Sequence, residues 1–315
     1  MQKNTLSRKG IAFAIIALFV GAGVVPSIVG VGGNNYRLFE DKTNYTLDDV
    51  ASIDEGTEYW AIIFAVGIYY NHPEQDFPSM LMAADNLYEV LLDSPQWHAD
   101  HIHKVTGSQA TGRRLIQELI WLIQNEDSDD MSLIYLTTHG SPLKGPIGFP
   151  IDLPPRDEDD RADEILIMYE GFDKWYAFIW DDLLNFFLSL LQSKGVCLIV
   201  DSCFSGGFND DPMFAGNIFE DYNAKSFTQG LAEELSAQNR VVLMSCEEDE
   251  SCYGSYFSEF LIDGFWGAAD LWGNKDGINS AEESFDYAKF WVNEMCYFNP
   301  TILDLYPGEY PVTYS

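Results

Sequence analysis

Two short motifs in the sequence join a reactive side chain to glycine. His139-Gly140 follows the predicted strand 131–138, and Cys203 follows the predicted strand 196–200 within D-S-C-F-S-G-G. Apolar runs that alternate with amphipathic stretches predict βαβ units and a mainly parallel sheet. Because ligands bind at the carboxyl ends of the strands in such sheets, we expect His139 and Cys203 to face each other across one cleft.

A cysteine beside a histidine is suited to covalent catalysis. The imidazolium stabilises the thiolate, and the imidazole can afterwards pass its proton to a leaving amine. The backbone N–H groups of Gly140 and Cys203 could bind a tetrahedral oxyanion, since glycine places no side chain in the way. A lone cysteine at a strand end is more often a small buried residue, but His139 at the same topological position weakens that alternative.

The elements that must position these residues follow from the hydrophobic periodicity. The predicted strands are 59–68, 101–105, 131–138, 164–169, 196–200 and 240–244. The predicted helices are 79–92, 111–123, 181–191, 226–235, 256–271 and 281–295. An acidic, proline-containing insert occupies 141–163, and a Gly/Asn/Asp-rich loop follows Cys203.

The segments I134-Y-L-T-T-H-G-S and V196-C-L-I-V-D-S-C-F-S-G-G resemble the motifs of caspase-like cysteine peptidases, the clan of caspases, metacaspases and legumains. The likeness is closest to prokaryotic, archaeal-type members and covers about residues 59–313. It implies a caspase-like α/β/α sandwich with a mainly parallel sheet and a helical C-terminal extension. It also implies a cysteine endopeptidase with Cys203 as nucleophile, His139 as general acid and base, and Gly140 in the oxyanion hole. Its partners would be protein or peptide substrates, and no cofactor would be required.

The residue two places before the nucleophile is expected to set the specificity. In the resembling clan this residue lines the pocket for the residue that precedes the cut, and here it is Asp201 where caspases have glutamine. A carboxylate in a confined pocket pairs well with a guanidinium or an ammonium group, so we predict cleavage after Arg or Lys. Ser245, in the matching V241-V-L-M-S-C, is a second expected substrate-binding residue. The alternative is that Asp201 pairs internally and supports the catalytic loop.

The turn D270-L-W-G-N-K-D-G-I-N-S-A-E-E resembles an EF-hand calcium loop. An alignment on Gly277 gives the candidate oxygen ligands Asp270, Asn274, Asp276 and Glu283. Trp272 falls at the first ligand position and cannot ligate, so Asp270 would replace it only in a remodelled loop. Calcium binding here is one expectation, and a metal-free turn between two helices is the other. The acidic stretch 152–163 could also gather cations, although such runs are usually solvated loops.

The N-terminus predicts export from the cytoplasm. Basic residues, an uncharged stretch from Ile11 to Val25, and Pro26 with small residues after it give 1–33 the pattern of a signal peptide. An uncleaved membrane anchor is the alternative, because the uncharged segment continues to Gly33. The expected location is therefore extracellular or at the cell surface, with a possible membrane tether. The expected domains are a polar linker at 34–58, a peptidase domain at 59–269 and the extension at 270–315.

Composition limits the classes of function. The net charge of −33 disfavours nucleic acid as a partner, since phosphate backbones would be repelled. Five cysteines leave at least one thiol unpaired by any intramolecular disulfide. Two rival functions remain: a calcium-dependent surface or adhesion module with a vestigial site, and an esterase that uses Ser202 or Ser205. The esterase is disfavoured because neither serine lies in G-x-S-x-G.

Overall fold

The computed structural model describes residues 56–145, 148–153, 163–174, 176–204, 238–245, 255–296 and 298–314. The expected signal or anchor segment, nearly all of the expected linker, and the predicted helix 226–235 lie outside the described residues. In the part of the chain that is described, no helix is both long enough and apolar enough to cross a membrane.

A mainly parallel sheet runs through the middle of the domain. Its strands are β1 Tyr59–Ala65, β2 Trp97–Thr106, β3 Met131–Pro142, β4 Glu164–Ile167, β5 Phe178–Trp180, β6 Gly195–Phe204, β7 Arg240–Met244 and β9 Thr301–Asp304. The order across the sheet is β2-β1-β3-β6-β7-β9. The first five strands of that order are parallel, and β9 closes one edge antiparallel to β7. β4 pairs antiparallel with the end of β3, and β5 pairs with β4.

Helices cover both faces of this sheet. They are α1 Pro78–Asp93, α2 Gly112–Asn125, α3 Asp181–Leu188, α4 Tyr256–Asp263, α5 Ala269–Trp272 and α6 Ala281–Met295. Leu87 of α1, Leu261 of α4 and Phe285 of α6 share one apolar core, whereas Leu115 of α2 and Leu184 of α3 belong to the other. The chain therefore has the expected three-layer α/β/α arrangement.

The central strands are long apolar runs because both of their faces are covered. All seven residues of β1 are buried. Side chains alternate between the two faces of a strand, so Ile63 packs into the core with α1 and Ile62 packs into the core with α2. Full burial of such a side chain is worth about 1.5–3 kcal/mol, which makes these alternating runs the main stabilising contribution of the sheet.

Two helix starts are fixed by hydroxyl caps. Thr111 Oγ1 accepts a hydrogen bond from the backbone N–H of Arg114 at 3.2 Å, and Ser280 Oγ accepts one from Glu283 at 3.1 Å. Such caps contribute about 1 kcal/mol each. The cap at Ser280 places α6 directly after the turn that resembles a calcium loop.

The two strands that carry the reactive residues run further than predicted. β3 continues to Pro142 because β4 pairs with its last three residues, and β6 continues to Phe204 alongside it. β1 instead ends at Ala65, before the predicted end at 68. Gly67 has a φ of +60°, and a Cβ at this position would approach the Leu81 side chain at 2.8 Å, so the chain turns away there.

The C-terminal region is helical in part. α6 matches the predicted helix 281–295, but the predicted helix 256–271 is interrupted by a π-turn over Gly264–Ala268, in which Gly267 has a φ of 112°. After α6, β9 joins the main sheet, while β10, Pro311–Tyr314, pairs with β8, Ile278–Ser280. The extension is thus built into the domain, and its strands were missed because they are short.

Candidate active site

His139 and Cys203 lie on neighbouring parallel strands in the same register. His139 of β3 is the Cα partner of Cys203 of β6, and the pairing continues for one further residue, Gly140 with Phe204. Adjacent strands are about 4.8 Å apart, so the two backbones are immediate neighbours. The predicted juxtaposition of the two residues at the carboxyl ends of the strands is present in the backbone.

The imidazole of His139 is held at one nitrogen. The residue is 1% exposed, and its Nε2 lies 2.9 Å from the backbone carbonyl oxygen of Gln75. A carbonyl can only accept a hydrogen bond, so Nε2 carries the proton in the neutral ring. Nδ1 then has a lone pair, and among the described residues it has no hydrogen-bond partner. His139 therefore presents a buried acceptor at the position where a proton can be taken up.

Three aromatic rings surround this imidazole. The ring of Tyr69 stacks on it at 5.0 Å, Phe77 meets it edge-on at 5.3 Å, and Phe172 meets it at 5.9 Å. Apolar contacts on several sides restrict the rotation of the ring. His72 lies one layer further out, 5.5 Å from the ring of Phe172, with its Nδ1 2.8 Å from Glu74 Oε1.

Burial sets the protonation of His139. Desolvation lowers the pKa of His139 below its usual value, and the hydrogen bond to the Gln75 carbonyl opposes this shift only in part. The surroundings that are described thus favour a neutral imidazole. This form can accept a proton from a thiol, whereas the sequence alone suggested a resting imidazolium.

Gly140 is part of the sheet on both sides. It lies opposite Phe204 of β6 and opposite Leu166 of β4, instead of following the end of the strand as predicted. The reason is the hairpin of β4 and β5, which extends β3 past the histidine. The role of the Gly140 N–H in an oxyanion hole stays a prediction.

Asp201 and Ser245 lie next to each other at the carboxyl ends of the neighbouring strands β6 and β7. Asp201 is 3% exposed and accepts hydrogen bonds from the hydroxyl groups of Ser258 and Ser245. Ser258 Oγ is also 2.7 Å from Tyr135 Oη, and Ser245 Oγ lies 3.4 Å from the Ser202 carbonyl oxygen. Burial raises the pKa of Asp201 to about 6, although the two serine hydroxyl groups oppose the shift.

Among the described residues, the neighbours of Asp201 are polar groups and not cations. Within the described ranges, no lysine or arginine forms a salt bridge with it. A buried carboxylate without a cation is costly to ionise. An arriving guanidinium would relieve this cost, and the two serines would support the loop without it, so each expectation for Asp201 stays a prediction.

A buried acidic cluster lies at the end of the insert that was expected to be solvated. Oxygens of Asp163, Asp181 and Asp182 lie within 4.8 Å of one another. Asp163 is completely buried and Asp181 is 1% exposed. Leu153 donates its N–H to Asp163 Oδ2 at 2.7 Å, but Asp163 Oδ1 has no partner within the described residues.

Burial shifts the pKa values of two carboxyl groups in this cluster upward. Burial, with the nearby charges of Asp181 and Asp152, raises the pKa of Asp163 to about 6. Burial also raises the pKa of Asp181. Hard carboxylate oxygens at this spacing could hold a divalent cation such as Ca²⁺. Sequence patterns missed the cluster because Asp163 and Asp181 belong to different elements and match no loop motif.

The calcium-like turn brings together three of its four predicted ligands. Oxygens of Asp270, Asp276 and Glu283 lie within 4.8 Å of one another, so Asp270 lies beside two of the other predicted ligands. These oxygens already accept backbone hydrogen bonds within the turn: Gly277 to Asp270 at 3.1 Å, Ile278 to Asp276 at 2.9 Å, and Asn274 to Glu283 at 3.0 Å. Asn274 Oδ1 accepts from the Asp276 N–H at 2.9 Å. Calcium binding at this turn stays a prediction.

Comparison with known proteins supports the fold. The chain is similar to the crystal structure of protein GSU0716 from Geobacter sulfurreducens, with a TM-score of 0.50 and 14% sequence identity over 82% of this chain and 99% of that chain. At this level of identity the likeness concerns the fold alone. No family model and no curated protein matches the chain. The α/β class, with a mainly parallel sheet flanked by helices, is confirmed.

Proposed function

We propose that this protein is a cysteine endopeptidase that uses Cys203 and His139. The observation that carries the proposal is their register on adjacent parallel strands, together with the Nδ1 atom of His139, which lacks a partner among the described residues. The carbonyl of Gln75 fixes the tautomer that leaves this nitrogen free to act as a base. Ser202, one candidate for an esterase, is fully buried in β6, which argues further against that alternative.

The proposed reaction has two stages. As the sulfur of Cys203 attacks the peptide carbonyl carbon, His139 Nδ1 takes the thiol proton and a tetrahedral oxyanion forms. The backbone N–H groups of Gly140 and Cys203 would stabilise that oxyanion. The C–N bond then breaks, and the imidazolium gives its proton to the leaving amine. Water, activated by the same nitrogen, hydrolyses the thioester and restores the thiol.

The proposed specificity is for Arg, and then Lys, before the cut. Asp201 lies two residues before the nucleophile on β6, is buried, and has no cation among the described residues. The guanidinium of a substrate would pair with it through two hydrogen bonds, which favours Arg over Lys. A raised pKa is expected for the carboxyl group of Asp201 while no cation is bound in such a pocket. A bound cation would lower this pKa.

The test is a panel of peptides that carry Arg, Lys, Asp or Asn before the scissile bond. The parent protein should hydrolyse the Arg peptide fastest, and Cys203→Ser should hydrolyse none. Cleavage after Asp or Asn with no cleavage after Arg would contradict the specificity. Equal hydrolysis by the parent protein and Cys203→Ser would contradict the mechanism.

The acidic cluster of Asp163, Asp181 and Asp182 supports a role for a divalent cation. Ca²⁺ there would neutralise two buried carboxylates and stabilise the β4–β5 hairpin, which pairs with the end of β3 beside His139. Thermal unfolding with CaCl₂ or EDTA tests this role. The parent protein should unfold at a higher temperature with CaCl₂, and Asp181→Asn should lose this difference. Glu283→Gln is the matched variant at the calcium-like turn.

The second candidate function is a calcium-dependent surface or adhesion module without peptidase activity. The two acidic clusters favour it, and the export signal expected at 1–33 is compatible with both candidates. The peptide panel separates them, because a vestigial site would bind Ca²⁺ without hydrolysing any peptide.

A further inference from the structure

The geometry points to Tyr69 as the residue that positions His139, and we propose this role for it. The inference rests on the proposed peptidase function and concerns how that site is held. Tyr69 lies four residues beyond the end of β1 and is 4% exposed. It touches His139 in two ways: its hydroxyl meets the backbone N–H of His139, and its ring stacks on the imidazole.

The hydrogen bonds that join His139, Tyr69 and Thr138 have assignable directions. The His139 N–H donates to Tyr69 Oη at 2.9 Å. Thr138 Oγ1 donates to the carbonyl of Ile167, so its single proton is already used. In the 3.0 Å contact between Tyr69 Oη and Thr138 Oγ1, Tyr69 must therefore be the donor. The result is an ordered relay from His139 through Tyr69 and Thr138 to β4.

The hydroxyl of Tyr69 takes the place of a backbone acceptor beside β3 where the pairing with β1 has ended. The last β1–β3 pair is Ala65 with Thr137, and the Val66 N–H donates to the Thr137 carbonyl at 3.0 Å. Beyond this pair, the described residues show no further backbone pairing between β1 and β3. The hydroxyl of Tyr69 supplies an acceptor for the next free N–H, which belongs to His139, and this fixes the backbone from which the imidazole extends.

The segment that follows Tyr69 also contacts the imidazole of His139. The N–H of Tyr69 donates to Asp76 Oδ1 at 2.7 Å, which closes the segment from Tyr69 to Asp76 into a loop. Within this loop, the Gln75 carbonyl accepts from His139 Nε2 at 2.9 Å. One loop therefore holds the histidine by its backbone N–H, by one ring face and by one ring nitrogen. These three contacts direct Nδ1 away from the loop.

Tyr69→Phe removes the hydroxyl and keeps the stacked ring. We expect kcat for the Arg peptide to fall about 10- to 100-fold with KM within about twofold, because the base is misplaced while the substrate pocket is intact. The matched control is Tyr310→Phe. Tyr310 is also fully buried and donates one hydrogen bond, to the Ser132 carbonyl at 2.9 Å, but it lies outside the site. Tyr310→Phe should lower the Tm by about as much as Tyr69→Phe does and leave kcat unchanged.

A second readout does not depend on turnover. In protein with ¹⁵N-labelled histidine, His139 should give the NMR signals of a single Nε2–H tautomer, and in Tyr69→Phe it should give a mixture of tautomers. This experiment works in the Cys203→Ala background, so it tests the positioning role even if the proposed peptidase function fails.

Thr138→Val removes the next hydroxyl of the relay and should shift both readouts in the same direction, which covers failure of Tyr69→Phe to fold. Unchanged kcat and an unchanged tautomer in Tyr69→Phe would overturn the inference.

Discussion

His139 and Asp201 are two buried titratable residues at the carboxyl ends of neighbouring strands, and they are held in opposite ways. His139 has one nitrogen bound to a carbonyl and the other without a partner among the described residues. Asp201 receives hydrogen bonds from Ser258 and Ser245. In the proposed mechanism the histidine would move a proton, whereas the carboxylate would carry a charge once a cation is bound.

Burial favours the neutral form of both residues, so they respond oppositely to pH. The pKa of His139 in the folded protein is below its usual value of 6.5. As the pH falls below 6.5, the histidine is protonated first in the unfolded chain, so the free energy of unfolding decreases. The folded pKa of Asp201 is about 6, above its usual 3.8, so its ionisation destabilises the fold above pH 6. This penalty is relieved as the pH falls from about 6 towards 3.8.

The largest expected effect comes from His139→Asn. Asparagine is neutral and polar but cannot act as a base at Nδ1, so kcat/KM for the Arg peptide should fall about 10³-fold. The circular dichroism spectrum should be unchanged, since α1 and β3 keep their apolar contacts. Activity that is retained in His139→Asn would remove the functional difference between the two residues.

Asp201→Asn separates substrate recognition from support of the loop. If Asp201 reads the substrate, cleavage of Arg peptides should fall about 10- to 1000-fold, since a buried charge pair is lost. The fold should gain stability above pH 7, by up to about 3 kcal/mol, because a costly buried charge is removed. Chemical denaturation at pH 8 measures this change. Loss of both activity and stability would show instead that Asp201 supports the loop.

Ser258→Ala has a smaller expected effect. It leaves Asp201 Oδ2 and the Tyr135 hydroxyl each without one hydrogen bond, which should cost about 1–2 kcal/mol of stability. The pKa of Asp201 should rise further, since the hydroxyl of Ser258 stabilises the carboxylate. The acidic limb of the pH profile for Arg peptides should therefore move to higher pH. A profile identical to that of the parent protein would show that Asp201 does not titrate in catalysis.

Sequence reasoning found the two strand ends because each reactive residue follows a long apolar run. It found Asp201 by its distance from Cys203 along β6. It did not find Gln75, because a backbone carbonyl leaves no signature in the sequence. Tyr69 and Phe172 were missed for a different reason: the loops that bring them to His139 are fixed by tertiary contacts between distant segments.

The two acidic clusters show the same limit. The turn from Asp270 to Glu283 could be recognised because its ligands follow one another at regular spacing. The cluster of Asp163, Asp181 and Asp182 joins the end of an insert to the start of α3, and only the pairing of β4 with β5 brings these residues together. Local spacing reveals sites within one loop and does not reveal sites assembled across a sheet.

The most direct test of the central claim is site-mapped alkylation of the protein with iodoacetamide, followed by mass spectrometry and peptide hydrolysis. Cys197 is the internal control, since it lies on the same strand, is fully buried, and has its pKa raised well above the usual value by that burial. We predict that Cys203 is alkylated, that Cys197 is not, and that hydrolysis of the Arg peptide falls in proportion to the modified fraction of Cys203. Full alkylation of Cys203 with undiminished hydrolysis would contradict the account.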